Sequence, residues 1–440
     1  MKSYYSNLLK YLVLPIADNL MKTSIIKSYW VIKKMRSLTQ EEIVQWQNEN
    51  LNSLILHVYT NTKYYNDLFR KLCLSPEDIK TLQDLNKLPI LTKKDIYNHF
   101  NELVPRNISN IPNKKSSTGG SSGDPMPYLL DNKSWSFSNA NNIINWEKTS
   151  YSYGDKFIAL GSTSLFVNKN PSLKHRIYYG LKNKIGLNGI NMSEKVCREY
   201  VTLIKKVKIR FIYGYASSIY LLAKHVLKFN EKVDIRACFP TSEVLTDLFR
   251  ETIQKAFQCD ILDCYGGHDG GITAFSYIKG FFEVGYSCLL RLDNPDKNGQ
   301  GPALLTDLFN YAMPLINYKL GDEILIDKSR NKDYPYNGQI INQVLGRTSD
   351  IIELENGNTL TGPGFTILFK DLPVEHYCIE KTGTNAIQCQ IVKLPGYTQQ
   401  HEDLVSSSFY KQMGAETQFS IDYTTEIPLT KSGKRLYFKG

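Results

Sequence analysis

Short apolar segments with the character of β-strands alternate with helical patterns between about residue 125 and residue 345, and this alternation constrains the fold most. The strand candidates are KFIALGS, KIRFIYGY, IRACFP and CDILDCYGG, and the helical patterns include SSIYLLAKHVLKF and LTDLFRETIQKAF. Strands that alternate with helices of about 10–15 residues build parallel or mixed sheets. The sequence therefore predicts an α/β fold for this part of the chain.

The chain has 440 residues, which is too long for one small core, so two or three compact units are expected. In the first part, helix starts are indicated after Ser75 and Thr92. Near the C-terminal end, AIQCQIVKL and TQFSIDY have the pattern of strands. We expect these units: a large unit over 1–346, mainly helical over 1–110 and α/β over 111–346, and a small α+β unit over 347–440.

The formal net charge of +10 is modest for a chain of this length. It suits anionic ligands such as nucleotides, or contact with an anionic membrane surface. There is no long run of lysine and arginine and no nucleic-acid-reading motif, so nucleic-acid binding is not expected. The eight cysteines are scattered without a C-x-x-C pair, which argues against a zinc ribbon or a disulfide framework and fits a reducing cytoplasm.

Residues 8–21, LLKYLVLPIADNLM, form an apolar stretch that Lys10 and Pro15 interrupt. The stretch lacks a small-residue cleavage site, so it makes a poor signal peptide. It is also far below the roughly 20 apolar residues that cross a bilayer. We expect a helix packed on its own domain, and a helix that touches a membrane surface is the alternative.

The stretch KKSSTGGSSGDPMPY, residues 114–128, fits either a flexible connection or a cradle for phosphate. A Walker loop needs a lysine before its closing Ser or Thr, whereas Asp124 and Pro125 close this loop, which argues against a P-loop kinase. Its glycines, backbone N–H groups and hydroxyls could still surround an anion, and Lys114 or Lys115 would add positive charge.

Two further glycine-rich stretches contain carboxylates that a nucleotide site could use. CYGGHDGG ends a strand-like run and holds Asp269, which is either a Mg²⁺ ligand at a strand's carboxyl end or an ordinary turn residue. NYKLGDEILI places Asp322 after a glycine between two strands. There it would accept the hydroxyls of a ribose, or belong to a plain hairpin turn, for which Gly-Asp is typical.

Two cationic residues complete the set of candidates. Arg347 in GRTSDII is available for nucleotide contact or for a surface salt bridge, and its small neighbours suit a boundary for domain motion. Lys434 in PLTKSGKRLYF lies in a Ser-Gly turn, in a part of the chain where most lysines are simply solvated.

The order of these stretches resembles the adenylate-forming (acyl-AMP synthetase) superfamily. That order is a Ser/Thr/Gly-rich loop, Y-G-x-x-[DE], G-D after an aromatic-basic strand, G-R-x-x-D and S-G-K. Within the superfamily the chain is similar to the phenylacetate–CoA ligase and CapK-type capsular polysaccharide branch. The phrases that carry this resemblance over nearly the whole chain are SPEDIKTLQDLNKLPILTKKDI, IYGYASSIYLLA, TSEVLTDLFRETI and TDLFNYAMPLINYKLGDE.

The resemblance implies an adenylate-forming fold with a large N-terminal domain and a mobile C-terminal lid. It also implies an enzyme that activates a small-molecule carboxylate with ATP and Mg²⁺ and passes the acyl group from AMP to an amine or to a thiol such as CoA. A role in bacterial surface polysaccharide synthesis is favoured, with a sugar nucleotide, a glycan amine or an amino acid as acceptor. An aryl-acid CoA ligase is the close alternative, and an inactive relative that serves as a scaffold is the alternative of another class.

The resemblance assigns roles to residues of this sequence. The cradle for the β- and γ-phosphates would be Ser117, Thr118, Gly119, Gly120, Ser121, Ser122 and Gly123. Asp269 would help to hold Mg²⁺, and Tyr265 and Gly266 would line the adenine and acyl pocket. Asp322 would bind the ribose hydroxyls with Arg347 beside it, and Lys434 would bridge the substrate carboxylate and the α-phosphate. The walls of the substrate pocket would be Tyr213, Gly214, Tyr215, Ser242, Glu243, Gly267 and His268. His268 either meets the substrate or packs against its turn, and packing is preferred.

The sequence departs from the family pattern in three places. Asp269 stands for the usual glutamate, Asn317 for the usual arginine, and Ser349 for the acidic residue of the hinge, with Asp350 following it. The Cys/His zinc cluster of some relatives has no counterpart, so no structural zinc is expected. We expect a monomer or homodimer that is cytoplasmic, with at most peripheral membrane contact.

Overall fold

The computed structural model describes residues 2–118, 126–161, 180, 183–189, 192–347, 351–353, 359–361, 369, 372–414, 416–428 and 436–439. The helices are α1 (Lys2–Leu8), α2 (Leu14–Met21), α3 (Ile25–Met35), α4 (Gln40–Asn61), α5 (Lys63–Lys71), α6 (Lys93–Asn98), α7 (Phe100–Leu103), α8 (Asn132–Trp146), α9 (Glu194–Val207), α10 (Ala216–Lys228), α11 (Asp247–Phe257), α12 (Lys328–Asn331) and α13 (Gln399–Met413). A π turn over Leu9–Val13 joins α1 to α2, and 3₁₀ turns cover Pro76–Asp78, Asp84–Lys87 and Ile108–Asn110.

The strands of the first half are β1 (Asn113–Ser117), β2 (Pro127–Asp131), β3 (Phe157–Gly161), β4 (Lys184–Asn188), β5 (Phe211–Tyr215), β6 (Ala237–Thr241), β7 (Asp260–Ile261), β8 (Asp263–Gly267), β9 (Ile272–Ser276) and β10 (Phe282–Val284). Those of the second half are β11 (Cys288–Leu292), β12 (Gln300–Asp307), β13 (Tyr318–Leu325), β14 (Ile340–Ile341), β15 (Gln343–Arg347), β16 (Ile351–Glu353), β17 (Thr359–Thr361), β18 (Val374–Gly383), β19 (Ala386–Lys393), β20 (Gln418–Tyr423) and β21 (Phe438–Lys439).

A mixed nine-stranded sheet forms the centre of the large unit, in the order β14-β10-β9-β8-β6-β5-β3-β4 with β7 beside β6. The strands from β4 to β8 pair in parallel, and β8, β9, β10 and β14 pair antiparallel. The predicted alternation of strands and helices is therefore confirmed, because β5–α10 and β6–α11 follow each other along the chain as the patterns indicated.

Both faces of the parallel strands are covered, as a parallel sheet requires. Alternate residues of β3 point to opposite faces. Ile158 packs into a cluster with residues of α9 and α10, whereas Ala159 packs into the cluster of Trp146 at the end of α8. The Trp146 ring stacks on Phe239 of β6 with ring centroids 4.2 Å apart.

The N-terminal part is helical, as predicted, and its helix starts are fixed by side-chain caps. Thr39 and Glu42 form a capping box that starts α4. A second box, Thr92 with Asp95, starts α6 at the predicted position. A helix was also expected after Ser75, but the structure has only a 3₁₀ turn there. The hydroxyl and the backbone N–H of Ser75 both donate to the Asp78 carboxylate, as they would in the cap of a helix.

A four-stranded antiparallel sheet, β11-β12-β13-β15, packs beside the central sheet. A second four-stranded sheet, β20-β19-β18-β21, lies near the C-terminal end and confirms the predicted strands in AIQCQIVKL and TQFSIDY. Helix α13 packs Val405, Phe409 and Met413 into a core of its own with Ile379 and Ile391 of this sheet. The fold class is thus α/β with a small α+β unit, while the boundary near residue 346 stays a prediction.

No helix within the described part of the chain is both long enough and apolar enough to span a membrane.

We expect Gly214→Ala to destabilise the large unit. A Cβ atom at this position of β5 would lie 2.1 Å from the carbonyl oxygen of Leu160, so the two neighbouring strands would have to move apart. Overpacking of this kind costs about 1–3 kcal/mol. The thermal unfolding midpoint, followed by circular dichroism, should fall clearly for Gly214→Ala. Gly180→Ala is the matched control, because a Cβ atom there has open space around it.

Candidate active site

The parallel strands β5, β6 and β8 run in one direction, so their carboxyl ends meet at one edge of the central sheet. β5 ends at Tyr215, β6 at Thr241 and β8 at Gly267. Open α/β sheets bind ligands at this edge, in the crevice outside the strand ends. The predicted pocket residues all lie at or just beyond these three strand ends.

Tyr265 connects this edge to the second sheet. Its hydroxyl donates to Oδ2 of Asp322 in β13 at 2.7 Å. Burial and the neighbouring carboxylate raise the pKa of the Tyr265 hydroxyl well above its usual value. The hydroxyl therefore keeps its proton at neutral pH and remains a donor to Asp322.

The surroundings of Asp322 correct one detail of the sequence prediction. The residue does not lie between two strands, because β13 runs continuously from Tyr318 to Leu325. Gly321 has a φ of 96°, which absorbs a local bend inside the strand, and the pairing with β15 shifts register between Glu323 and Ile324. A glycine in a strand interior often marks such an irregularity.

A second tyrosine holds the other predicted carboxylate. The Tyr318 hydroxyl donates to Oδ2 of Asp269 at 3.0 Å, and the Tyr318 side chain is fully buried. Burial and the charge of Asp269 raise the pKa of Tyr318, so this hydroxyl also stays protonated. Gly267 leaves room for the carboxylate, since a Cβ atom there would lie 2.9 Å from Oδ1 of Asp269.

The predicted phosphate loop opens from the hairpin of β1 and β2. Thr118 closes the described end of this hairpin, because its N–H donates to the Met126 carbonyl and its hydroxyl accepts from the Met126 N–H, both at 3.0 Å. Ser117, the last residue of β1, is exposed. Tyr128 of β2 shares a hydrogen bond with Ser116, and its hydroxyl lies within the electrostatic field of Asp269. The hairpin therefore lies beside the Asp269 turn.

His268 lies between the hairpin and the strand ends. The residue is exposed, and its preferred packing against the turn stays a prediction. Although His268 contacts solvent, much protein surrounds its imidazole and displaces bulk water, and the positive charge of Lys114 on β1 lies nearby. Both effects lower the pKa of His268 to about 4, so the imidazole is neutral near pH 7.

The predicted pocket wall has exposed and buried members. Tyr213 is half-buried and lies 5.2 Å from the Trp146 ring, measured between centroids, and Gly214 and Tyr215 are buried. Ser242 is exposed and has a left-handed φ of 69°. Glu243 accepts from the backbone N–H of Ser217 at 2.8 Å, so its carboxylate caps the first turn of α10.

The remaining predicted residues are only partly described. Arg347 ends β15 and lies opposite Asp322 in the ladder of β13 and β15. The following predicted residues lie outside the described part of the chain: Gly119, Gly120, Ser121, Ser122, Gly123 and Lys434.

Asn317, which stands where the family pattern has arginine, has a structural role. It is buried with a left-handed φ of 53°, a conformation that asparagine tolerates better than most residues. Its amide nitrogen donates to the Leu88 carbonyl at 3.1 Å, and its amide oxygen accepts from Arg291 at 2.9 Å. The side chain therefore ties the start of β13 to the helical N-terminal part.

Tyr318 and Tyr128 were not among the predicted site residues. No local pattern pairs Tyr318 with Asp269, because the two residues are 49 positions apart. Tyr128 has no local motif that marks it.

The residues at this site suit Mg²⁺ as it is usually bound. Mg²⁺ prefers oxygen ligands and is commonly held by one or two carboxylates together with substrate phosphates. Asp269 supplies such a carboxylate beside the hairpin of the predicted phosphate loop. Across the described ranges, no group of three or more His, Cys, Asp or Glu side chains is arranged to hold a metal ion by itself.

Known proteins resemble this chain over most or nearly all of its length. It is 22% identical over 430 residues to Protein CapK of Staphylococcus aureus, which covers 95% of this chain and 93% of that protein. It is 22% identical over 360 residues to a phenylacetate–coenzyme A ligase of Pseudomonas putida, which covers 74% and 76%. A crystal structure of 2-hydroxyisobutyryl-CoA ligase, in the postadenylation state with R3-HIB-AMP, matches with a TM-score of 0.67 and 13% identity over 91% of this chain and 90% of the other. The chain has the adenylate-forming fold.

These comparisons confirm the resemblance to the CapK and phenylacetate–CoA ligase branch, and they confirm the predicted fold class. No protein-family model matches the chain. The roles of the individual site residues stay predictions, because the solved structures share the fold at low identity.

The low pKa of His268 can be tested by NMR. We expect its imidazole to titrate with a midpoint of about 4, far below the usual value of about 6.5. Lys114→Met should raise this midpoint, because one of the two causes is removed, yet leave it below the usual value, because displacement of water is the larger cause. His268→Gln identifies the signal.

Lys115→Met is the matched control for that titration, since the neighbouring residue of a strand points to the other face. A His268 midpoint near its usual value would contradict the described surroundings. Equal shifts in the two lysine variants would contradict the role of Lys114.

Proposed function

We propose that this chain is an ATP-dependent ligase that activates a carboxylate as its acyl-AMP and transfers the acyl group to an amine or a thiol. One observation carries the proposal. Two carboxylates, Asp322 and Asp269, are each held by a tyrosine hydroxyl at the carboxyl edge of the sheet, beside the hairpin that opens into the Ser/Thr/Gly-rich loop. The adenylate-forming fold supports it.

The chemistry runs in two steps. First, a carboxylate oxygen of the substrate attacks the α-phosphorus of ATP, and pyrophosphate leaves with the electron pair of the broken P–O bond. Second, the nitrogen or sulfur of the acceptor attacks the acyl carbon and loses its proton, and AMP leaves. AMP is a far better leaving group than the oxide that a free carboxylate would have to expel, so the first step makes the second possible.

The described residues have separate tasks in this scheme. Asp322 accepts hydrogen bonds from the ribose hydroxyls, and Tyr265 keeps its carboxylate in place. Asp269, positioned by Tyr318, would hold Mg²⁺. Mg²⁺, when bound, offsets negative charge on the phosphoryl oxygens. Preorganised groups of this kind stabilise developing charge without having to reorganise during the reaction.

Lys434 is expected to bridge the substrate carboxylate and the α-phosphate during the first step, and the small C-terminal unit is expected to rotate before the second. An ion pair joins the two units, since Lys224 of α10 lies 3.0 Å from Glu375 of β18. The lysine side chain is 46% exposed and the glutamate side chain 14% exposed, so the rotation would have to break a partly buried ion pair.

The acceptor and the pathway are proposed from similarity. Resemblance to the CapK branch over nearly the whole chain favours a role in bacterial capsule or O-antigen polysaccharide synthesis, with a sugar amine or an amino acid as acceptor. Similarity to phenylacetate–coenzyme A ligases supports the alternative, an aryl-acid CoA ligase. An inactive scaffold relative is the alternative of another class, which Asp269 in place of glutamate keeps open.

Adenylation should be visible as exchange of labelled pyrophosphate into ATP that depends on an added acid. Across a panel of sugar acids, amino acids and aryl acids, at least one acid should support exchange by the natural chain. Lys434→Ala should reduce exchange by about 10²–10³-fold, as loss of one charge-stabilising donor does elsewhere. Lys431→Ala, in the same sequence stretch, is the control.

Exchange with no acid in a broad panel would favour the scaffold alternative, and undiminished exchange in Lys434→Ala would remove the role of that lysine. Once an acid is known, the mass of the product formed with CoA or with an amine identifies the acceptor.

The contact between Asp322 and the ribose can be isolated by comparing ATP with 2′-deoxy-ATP in the same exchange assay. A hydrogen bond to a charged group contributes about 1.5–3 kcal/mol, so the natural chain should prefer ATP by roughly tenfold to a hundredfold in kcat/KM. In Asp322→Asn this preference should largely disappear. Tyr265→Phe should weaken it, whereas Tyr277→Phe, the control at an exposed tyrosine, should not.

If Asp322→Asn kept the full preference for ATP, the ribose hydroxyls would have to bind to a residue other than Asp322. The comparison is a double-mutant cycle between the protein and the nucleotide, so a general loss of activity by itself does not mimic the result.

A further inference from the structure

The first two helices and the π turn between them carry apolar residues on the outside as well as on the inside. Leu8, Leu12, Ile16 and Leu20 are between 49% and 64% exposed, and we call these four residues the N-terminal stripe. Over the same stretch Asp18 is only 6% exposed. Leu9 and Leu14 face the core, as is usual for a helix on the surface of a globular protein, so the stripe is a second apolar face that points outward.

Polar contacts help the buried Leu9 and Leu14 to hold the inward face of these helices in place. Asp18 accepts from the hydroxyl of Thr23 at 2.7 Å and from the backbone N–H of Ile26 at 2.8 Å. Lys10 forms an ion pair with Glu147 at the end of α8. Turning the stripe inward would break these bonds and leave charges buried without partners, which is costly. The outward direction of the stripe is therefore built into the fold.

The stripe is continuous over both helices. Its members are four residues apart, and in an α-helix of 3.6 residues per turn this spacing drifts by about 40° per step. The π turn over Leu9–Val13 has wider hydrogen-bonded rings, so each residue rotates less about the helix axis. This smaller rotation offsets part of the drift and keeps the stripe on one side. Tyr11, 58% exposed, extends the apolar surface to α3 by stacking on Trp30, with ring centroids 6.2 Å apart.

Positive charge surrounds this apolar surface. The first 38 residues contain seven lysines and arginines and a single acidic residue, the buried Asp18. They thus account for +6 of the chain's formal charge of +10. On α3, Lys27, Lys33 and Lys34 are exposed on the same side as Trp30, and the Lys33 ammonium lies 5.5 Å from the Trp30 ring.

We propose that this surface binds to a bilayer that contains anionic lipids. Apolar residues with tryptophan and tyrosine enter the boundary between headgroups and acyl chains, while lysines around them meet lipid phosphates. A second copy of the chain fits the surface less well, because symmetric pairing would bring the lysines of one copy against those of the other. This inference goes beyond the proposed ligase activity and does not depend on it.

Flotation of the full chain with lipid vesicles tests the proposal. The chain should float with vesicles made of equal amounts of phosphatidylcholine and phosphatidylglycerol, and far less with vesicles of phosphatidylcholine alone. The double variant Leu12→Glu, Ile16→Glu should lose flotation. Leu56→Glu is the matched control, because Leu56 is 58% exposed on α4, away from the stripe, and it should float like the natural chain.

The charge contribution has its own pair of variants. Each lysine near an anionic surface contributes about fivefold to the affinity, so the double variant Lys33→Glu, Lys34→Glu should bind vesicles more than tenfold more weakly. Added salt should weaken the binding of the natural chain to the same vesicles. Lys206→Glu with Lys232→Glu, at exposed lysines elsewhere, should have little effect. Circular dichroism checks that every variant is folded.

Absence of flotation by the natural chain would overturn the proposal, and so would equal flotation of the stripe variant. Analytical ultracentrifugation tests the alternative, in which a second copy of the chain covers the stripe. A dimer of the natural chain that Leu12→Glu, Ile16→Glu converts to monomer, with no binding to vesicles, would assign the stripe to a second copy instead.

Discussion

The hydrogen bond from Tyr265 to Asp322 spans the junction between the central sheet and the second, antiparallel sheet. Tyr265 lies in β8, the strand at which the central sheet changes from parallel to antiparallel pairing. A hydrogen bond to a charged acceptor in such surroundings contributes about 1.5–3 kcal/mol, and losing the donor leaves a carboxylate poorly compensated. The same bond therefore links two sheets that also share an apolar cluster, and it holds one charge in place at the candidate site.

The Asp269 and Tyr318 pair repeats this arrangement a short distance away, and each tyrosine lies in the field of both carboxylates. Two anions near the predicted position of a polyphosphate would repel it strongly unless cations were supplied. The expected cations come from different places: Mg²⁺ at Asp269, Arg347 on the strand opposite Asp322, and Lys434 from the small unit. A site assembled in this way is complete only when ligand and C-terminal unit are both in position.

Local patterns predicted the elements well, and contacts between distant residues were beyond them. The strand KIRFIYGY and the helix after it were predictable because their apolar periodicity is local. The position of Asp322 inside one strand was not, because Gly-Asp is typical of a turn and only the structure shows the bend at Gly321. The partners Tyr318 and Lys114 were missed for the same reason, since nothing near Asp269 or His268 in the sequence identifies them. The N-terminal helices were expected to pack on their own domain, and they do so through the buried Leu9 and Leu14 as well as through Lys10 and Asp18.

The four tryptophans of the chain lie in four different environments. Trp30 belongs to the basic apolar surface of α3, Trp46 packs against Phe309 in the helical core, and Trp135 lies under the ammonium of Lys114. Trp146 is stacked on Phe239 behind the predicted pocket. Indole emission depends on local polarity and on nearby charges. Single-tryptophan forms of this chain would thus carry a built-in optical reporter for each of these four environments, with no added label.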